Sequence, residues 1–227
     1  MPELPEVETI RRDLQQDIKG LTFLEVRVLD ARVVRDLAPT EFTRRLAGRK
    51  VRGVHRRGKA LLIDLGEGFL VVQPMMTGQL IVSPTSDGAA LGKAARVVFR
   101  LSKNRTLVYN DQRLFGRLTV VSRPEDSGHV RALGPETLDE DFTVDVLRRQ
   151  MGGRRTAVKA VLLDGKCVAG IGNIYASEIL FCAGISPLRK ASELSAGESA
   201  RLWRAMRRVL AEAVRLRGTS MGNYRDG

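Results

Sequence analysis

The chain is poor in the residues that build cross-links and metal sites: two cysteines and two histidines in 227 residues. Cys167 and Cys182 cannot make a disulfide framework, and without a secretory leader they point to a reducing compartment. His55 and His129 lie far apart, and no Cys/His cluster has metal-ligand spacing, which argues against a zinc site built from these residues. No apolar run approaches the length of a membrane span. The opening segment, MPELPEVETIRR, is acidic where a leader peptide is basic. There is no internal repeat and no low-complexity tract. These absences describe a cytosolic globular protein. What is abundant is positive charge, 38 Lys+Arg against 26 Asp+Glu, for a net +12. Such an excess suits a polyanion, because each neutralised phosphate releases counterions. Nucleic acid is the first candidate, although a ribosome-associated or merely basic protein has the same balance. Arginine dominates, which favours bidentate phosphate and base contacts.

The apolar pattern changes along the chain. Val7, Ile10, Leu14 and Ile18 recur at helical spacing, so a first helix is expected over 3–18, ended by Gly20. Short strands are expected over 23–29, 50–55, 60–65, 69–72, 97–101, 106–109 and 118–121, separated by turn residues. With little helix between them they suggest an antiparallel sandwich or barrel. Residues 126–140 read as a charged connection. From Phe142 onward the periodicity is helical. Leu194, Leu202, Met206, Val209, Ala213 and Leu216 mark a last helix, whose outer face carries Arg201, Arg204, Arg208 and Arg215. The expected fold is α+β: an antiparallel β-sandwich domain over 1–125 bearing the N-terminal helix, then a helical domain over 141–227.

The most informative residues come first. Met-Pro invites removal of Met1, which leaves a secondary amine followed at once by Glu3 and then by Glu6. A terminal amine has a pKa of roughly 8, far below that of lysine, so part of it is unprotonated and nucleophilic at neutral pH. Attack by a secondary amine on a sugar C1′ gives a charged iminium, an electron sink that favours loss of the neighbouring phosphate. Glu3 stands where it can protonate the departing sugar oxygen, if its surroundings raise its pKa. The same residues also serve as ordinary chemistry at a helix start. Lys59 follows Arg56-Arg57-Gly58 at a hairpin tip, where a solvated turn lysine is the plainer reading. Met76 and Phe115 sit in glycine-flanked segments, and either could be a core residue. Ala169-Gly170-Ile171-Gly172-Asn173 is a small-residue turn opening a helix, and its backbone amides make a ready phosphate site.

Together these segments resemble the formamidopyrimidine-DNA glycosylase family. PELPEVET at 2–9 is similar to the family's N-terminal signature, and Leu4 favours this branch over the endonuclease VIII-like one. The resemblance runs from Pro2 to about Tyr224. It implies that Pro2 is the nucleophile, with Glu3 as acid, Glu6 as a second acid/base or orienting group, and Lys59 reaching the phosphates beside the lesion. It implies that Met76 fills the gap left by a flipped base, that Arg113 pairs with the orphaned base, and that Phe115 wedges beside it. Lys159 corresponds to a lysine near the lesion pocket, and Asn173 to the asparagine that binds the DNA backbone in a helix–two-turn–helix. The implied activity is base-excision repair: a bifunctional glycosylase and AP lyase, acting as a monomer on damaged double-stranded DNA, cytoplasmic and nucleoid-associated. Its implied substrates are oxidised purines such as 8-oxoguanine and formamidopyrimidines.

Some positions depart from the family's pattern. Gln73 replaces a phosphate-binding histidine, so that contact loses its charge. Another family histidine falls on Ala94, where Arg96 is a candidate to compensate. Leu114 replaces the second Arg of the Asp-x-Arg-Arg-Phe-Gly motif. Beyond Gly218-Thr219-Ser220 such proteins continue into a lesion-capping loop and a four-Cys zinc hairpin. The sequence ends at Gly227, so no zinc or other cofactor is expected from these residues, and weaker DNA binding is. Two rival readings follow: an endonuclease VIII-like glycosylase for oxidised pyrimidines, and a DNA-binding homologue with weakened catalysis.

Overall fold

The computed structural model describes residues 1–84 and 92–218; Thr219, Ser220 and Tyr224 of the segment discussed above lie outside them. The chain forms two compact units. Met1–Pro2 and Val7–Arg131 cluster as one, and Glu3–Glu6 cluster with residues 132–218 as the other.

In the first unit, α1 (Leu4–Ile18) buries Val7, Ile10, Leu14 and Ile18 on the face their spacing predicts. Eight strands follow: β1 (Phe23–Val28), β2 (Gly53–Arg57), β3 (Ala60–Asp64), β4 (Phe69–Gln73), β5 (Gly78–Ser83), β6 (Ala95–Leu101), β7 (Arg105–Asp111) and β8 (Arg117–Val121). They pair antiparallel in two four-stranded sheets, ordered β1-β6-β7-β5 and β2-β3-β4-β8. Alternation along each strand sends Phe23, Val97, Phe99, Leu107 and Tyr109 from one sheet inward. Val54, Leu61, Ile63, Leu70, Val72, Leu118 and Val120 come from the other, and all join one core with the apolar face of α1. Each such side chain contributes about 1.5–3 kcal/mol when fully buried.

Besides a short helix inside the stretch read as a charged connection, two elements were not expected. One is α2 (Pro39–Leu46), inside the stretch read as strands. Pro39 suits the first helical turn, Glu41 complements the dipole there, and Phe42 and Leu46 lie one turn apart, both buried. The other is β5, hidden in the sequence between the turn-like segments before Gly78 and after Val82. On the outer face of the second sheet, Ala60, Leu62 and Val71 are covered by Val130 of a short helix, α3 (Gly128–Arg131).

The second unit is helical: α4 (Val144–Met151), α5 (Val158–Leu163), α6 (Asn173–Ala183) and α7 (Ala196–Arg215). Leu147, Val161, Leu162, Tyr175, Ile179, Leu202, Met206 and Leu210 make its core. A Ser195–Glu198 capping box starts α7. Leu194 therefore lies before the helix and Leu216 caps its end, 60% exposed. Arg201, Arg204, Arg208 and Arg215 are exposed as expected. Among the described residues no helix is long and apolar enough to cross a membrane.

Candidate active site and nucleic-acid surface

The two acidic residues of the N-terminal segment are buried, Glu3 at 2% exposure and Glu6 at 4%. Glu3 sits at the start of α6. One oxygen of its carboxylate accepts from the Gly172 and Tyr175 amides, at 2.7 and 3.3 Å, and the other from the Ile174 amide at 2.9 Å. A carboxylate in this position is favoured by the aligned peptide dipoles of the helix. The seat depends on Gly172, because a Cβ there would overlap the Glu3 side chain. Glu6 accepts from the Glu3 amide at 2.9 Å and from the Tyr175 hydroxyl at 2.8 Å. It thus holds both the backbone of Glu3 and the helix on which the Glu3 carboxylate rests. The helix terminus that the glycine turn was expected to offer to phosphate is occupied by Glu3. Asn173, the first residue of α6, remains exposed beside it. Pro2, which precedes Glu3, is buried. While Met1 is attached its nitrogen is an amide without nucleophilic character, so attack requires removal of Met1.

In the first unit, Met76, Arg113 and Phe115 come together from two loops. Met76 is 42% exposed and Phe115 46%, so neither is a core residue. The Arg113 guanidinium lies 4.7 Å over the Phe115 ring and donates to the Met76 sulfur at 3.3 Å. Each loop holds one non-glycine residue in the left-handed region, Met75 at φ 53° and Leu114 at φ 59°. Such a residue costs about 1–3 kcal/mol unless its surroundings enforce it. Asp111, fully buried, supplies that enforcement. Its carboxylate accepts from Thr77 Oγ1 at 2.5 Å, the Arg113 amide at 3.2 Å and the Gly116 amide at 2.7 Å. The turn at Leu114 sends that side chain onto the sandwich core, which is the work an apolar residue does at this departure from the family motif.

Lys59 occupies the β2–β3 turn, where Arg57 pairs with Ala60 and Gly58 takes the positive φ of a two-residue hairpin. Gln73, 7% exposed, ends β4 opposite Arg117. Arg96 donates to the Asp111 carbonyl at 2.8 Å, next to the loop that bears Arg113. In the second unit Lys159 donates to Ser177 Oγ at 2.9 Å and lines a mainly apolar cavity of about 430 Å³ with Leu180, Phe181, Ile185 and Pro187. Among the described residues no three His, Cys, Asp or Glu side chains are grouped to hold a metal. Cys167 is buried and donates to Asp164, and Cys182 is exposed. These side chains do not fit the family's zinc. Sequence reasoning did not single out Asp111, Gly172 or Tyr175 as functional. All three stood within the motifs that drew attention, yet their partners are invisible in a linear pattern.

Comparison with known proteins follows the same division. Residues 1–118 match the formamidopyrimidine-DNA glycosylase N-terminal domain, and residues 133–224 match the formamidopyrimidine-DNA glycosylase H2TH domain. The formamidopyrimidine-DNA glycosylase of Moorella thermoacetica is 46% identical, over 100% of this chain and 83% of its own length. The crystal structure of the MutM (Fpg) protein from Thermus thermophilus is 40% identical. It covers 100% of this chain and 82% of its own, with a TM-score of 0.87. A variant of the Lactococcus lactis Fpg bound to DNA containing Fapy-dG is 29% identical. It covers 98% of this chain and 82% of its own, with a TM-score of 0.91.

Proposed function

Because the chain belongs to the formamidopyrimidine-DNA glycosylase family, we propose that it works as a bifunctional base-excision repair enzyme whose chemistry starts at the amine of Pro2. The protein is a DNA glycosylase, its partner is damaged double-stranded DNA, and AP lyase activity accompanies base removal in this family. The observation that carries the mechanism is the seat of Glu3. The residue after Pro2 is fixed by three amides at a helix terminus and braced by Glu6 and Tyr175.

In this mechanism the Pro2 nitrogen attacks C1′ of the damaged nucleoside and the bond to the base breaks. The Glu3 carboxylate takes the proton that the Pro2 nitrogen sheds after attack and passes it to the sugar oxygen as the ring opens, which yields an iminium between Pro2 and the sugar, while the departing base takes a proton from water. Loss of a C2′ proton expels the 3′ phosphate, a second elimination expels the 5′ phosphate, and water releases the sugar fragment from Pro2. Lys59 assists the eliminations at the phosphates. Met76, Arg113 and Phe115 fill the helix when the damaged nucleotide leaves the stack. Their exposure on two braced loops supports that role. Asn173 and Lys159 hold the DNA backbone from the helical unit, and Gln73 from the sheet. The lesions are oxidised purines, 8-oxoguanine and formamidopyrimidines, and the place of action is the nucleoid. No step passes through a metal.

Borohydride reduction tests this reading. Incubation with a duplex carrying 8-oxoguanine, followed by reduction, should give a covalent protein–DNA adduct that is abolished in Pro2→Gly. An adduct only on a duplex with an oxidised pyrimidine would assign the protein to endonuclease VIII-like chemistry. No adduct even on an abasic duplex would remove the enzymatic mechanism.

A further inference from the structure

The C-terminal end of α6 leaves apolar surface uncovered. Gly184, at φ 63°, closes the helix in the left-handed turn that suits a residue without a side chain, and the Ile185 amide donates back to the Leu180 carbonyl at 3.1 Å. That reversal lays Ile185 and Pro187 beside the last turn of α6. The start of α5 holds them there: the Val158 amide donates to the Arg189 carbonyl at 2.7 Å, and the Lys159 amide to the Pro187 carbonyl at 3.3 Å. Ser177, Phe181 and Gly184 recur at helical spacing and make the facing wall of the 430 Å³ cavity. Phe181 is 85% exposed and Leu188, next to Pro187, is 82% exposed. They are the most exposed large apolar side chains among the described residues. An apolar patch rimmed by polar groups marks a contact surface.

The rim is cationic. Arg201 of α7 donates to the Ala183 carbonyl at 3.4 Å, next to Gly184 in the cavity wall. Arg204 and Arg208 follow it at helical spacing on the exposed face of α7. None of these three arginines forms a salt bridge among the described residues, where many others hold a carboxylate. Glu198, one turn before Arg201, is committed elsewhere: it accepts from the Ser195 amide at 2.8 Å and lies 3.9 Å from Arg189. Its pKa is lowered first by the Ser195 backbone bond and least by Arg201. Among the described residues no acid lines the cavity.

We propose that this face of the helical unit docks a segment of a partner protein that carries a large apolar side chain beside carboxylates. The apolar side chain enters the cavity between Phe181, Ile185 and Pro187, and the carboxylates pair with Arg201 and Arg204. Exposed aromatic and arginine side chains are enriched where proteins meet. A DNA backbone suits the face less well, because it brings charge to the arginines and nothing to fill an apolar cavity. The assignment leaves Lys159 to the DNA and is independent of the glycosylase mechanism.

Selection of phage-displayed random peptides on the immobilised protein tests this. Enriched sequences should share a large apolar residue within a few positions of Asp or Glu. A labelled synthetic peptide of the enriched sequence should bind Phe181→Ala and Arg201→Ala about tenfold more weakly than wild type, read by fluorescence anisotropy. Arg149→Ala, which removes an exposed charge from α4, should bind it normally. All three variants should still form the borohydride-trapped adduct on an abasic duplex, because each replaced side chain is exposed. Enriched sequences without acids, or none in common, overturn the proposal. So does unchanged affinity in Phe181→Ala and Arg201→Ala. If Arg201→Ala and Arg204→Ala instead reduce the salt dependence of duplex binding, the arginines serve DNA and the partner assignment falls. If the protein sediments as a dimer that Phe181→Ala dissolves, a second copy covers the face and the assignment falls likewise.

Discussion

At the scale of single residues, the site turns on how little room surrounds Glu3. Its carboxylate fits against the α6 terminus only because residue 172 has no side chain. Gly172→Ala should push the carboxylate off the Ile174 and Tyr175 amides. A displacement of about 1 Å in a catalytic group can cost about a hundredfold in rate. Turnover on 8-oxoguanine duplex should therefore fall about that far, while affinity for an uncleavable duplex changes much less. Wild-type turnover in Gly172→Ala would show that the seat of Glu3 does not matter to the chemistry. Gln73 teaches the complementary lesson. Read alone it is a lost charge. Its register partner Arg117 was visible in the sequence, but the pairing was not.

At the scale of elements, the loops after β4 and β7 act as one device because Asp111 binds both. In Asp111→Ala the buried Gly116 amide loses its acceptor, at a cost of about 1–3 kcal/mol, and the Arg113 amide keeps only Thr77 Oγ1. Met76, Arg113 and Phe115 then lose their common geometry. On the proposed role of these residues, in which they replace stacked bases, the loss should be largest where a paired base must be extruded. Cleavage of an 8-oxoguanine duplex should slow at least tenfold more than cleavage of a single-stranded abasic oligonucleotide. An equal loss on both would mean that Asp111 only stabilises the fold.

At the scale of the whole molecule, carboxylates bound by arginine set the response to acid. Burial pushes Glu8 up, but hydrogen bonds and charge from Arg11, Arg56 and Arg12 outweigh it and leave its pKa lowered. Asp30 is held at about 2 by Arg32. Backbone hydrogen bonding from Lys166 is the largest influence lowering Asp164. A depressed carboxyl contributes stability that is present above its unfolded value and lost as pH falls toward its folded one. His129 acts in the same direction. The unfolded chain takes up its proton near pH 6.5 and the folded chain only below that, so acid favours unfolding. The urea midpoint should therefore fall modestly between pH 7 and 5.5, and more steeply below pH 4.5. A midpoint constant from pH 7 to pH 3 would contradict these shifts.

The sequence by itself determined the features that are local. The apolar stripe at Val7, Ile10, Leu14 and Ile18 specifies a helix. Alternating residues such as Leu61 and Ile63 specify strands of a sandwich, and a proline amine beside Glu3 specifies a possible nucleophile and acid. Each depends on neighbours a few residues apart, where the period of the backbone can be read directly. It also left α2 and β5 unread, because each is short, 8 and 6 residues, and β5 is defined by its pairing with β7. What only the tertiary structure decided are the partnerships across long stretches of chain. Glu3 binds Gly172, 169 residues away, and so fills the helix terminus that local reasoning offered to phosphate. Asp111 reaches back to Thr77, and Arg117 lies against Gln73. Linear periodicity shows which face a residue occupies. It does not show which distant donor or acceptor will meet it there, because that depends on how the strands and helices pack.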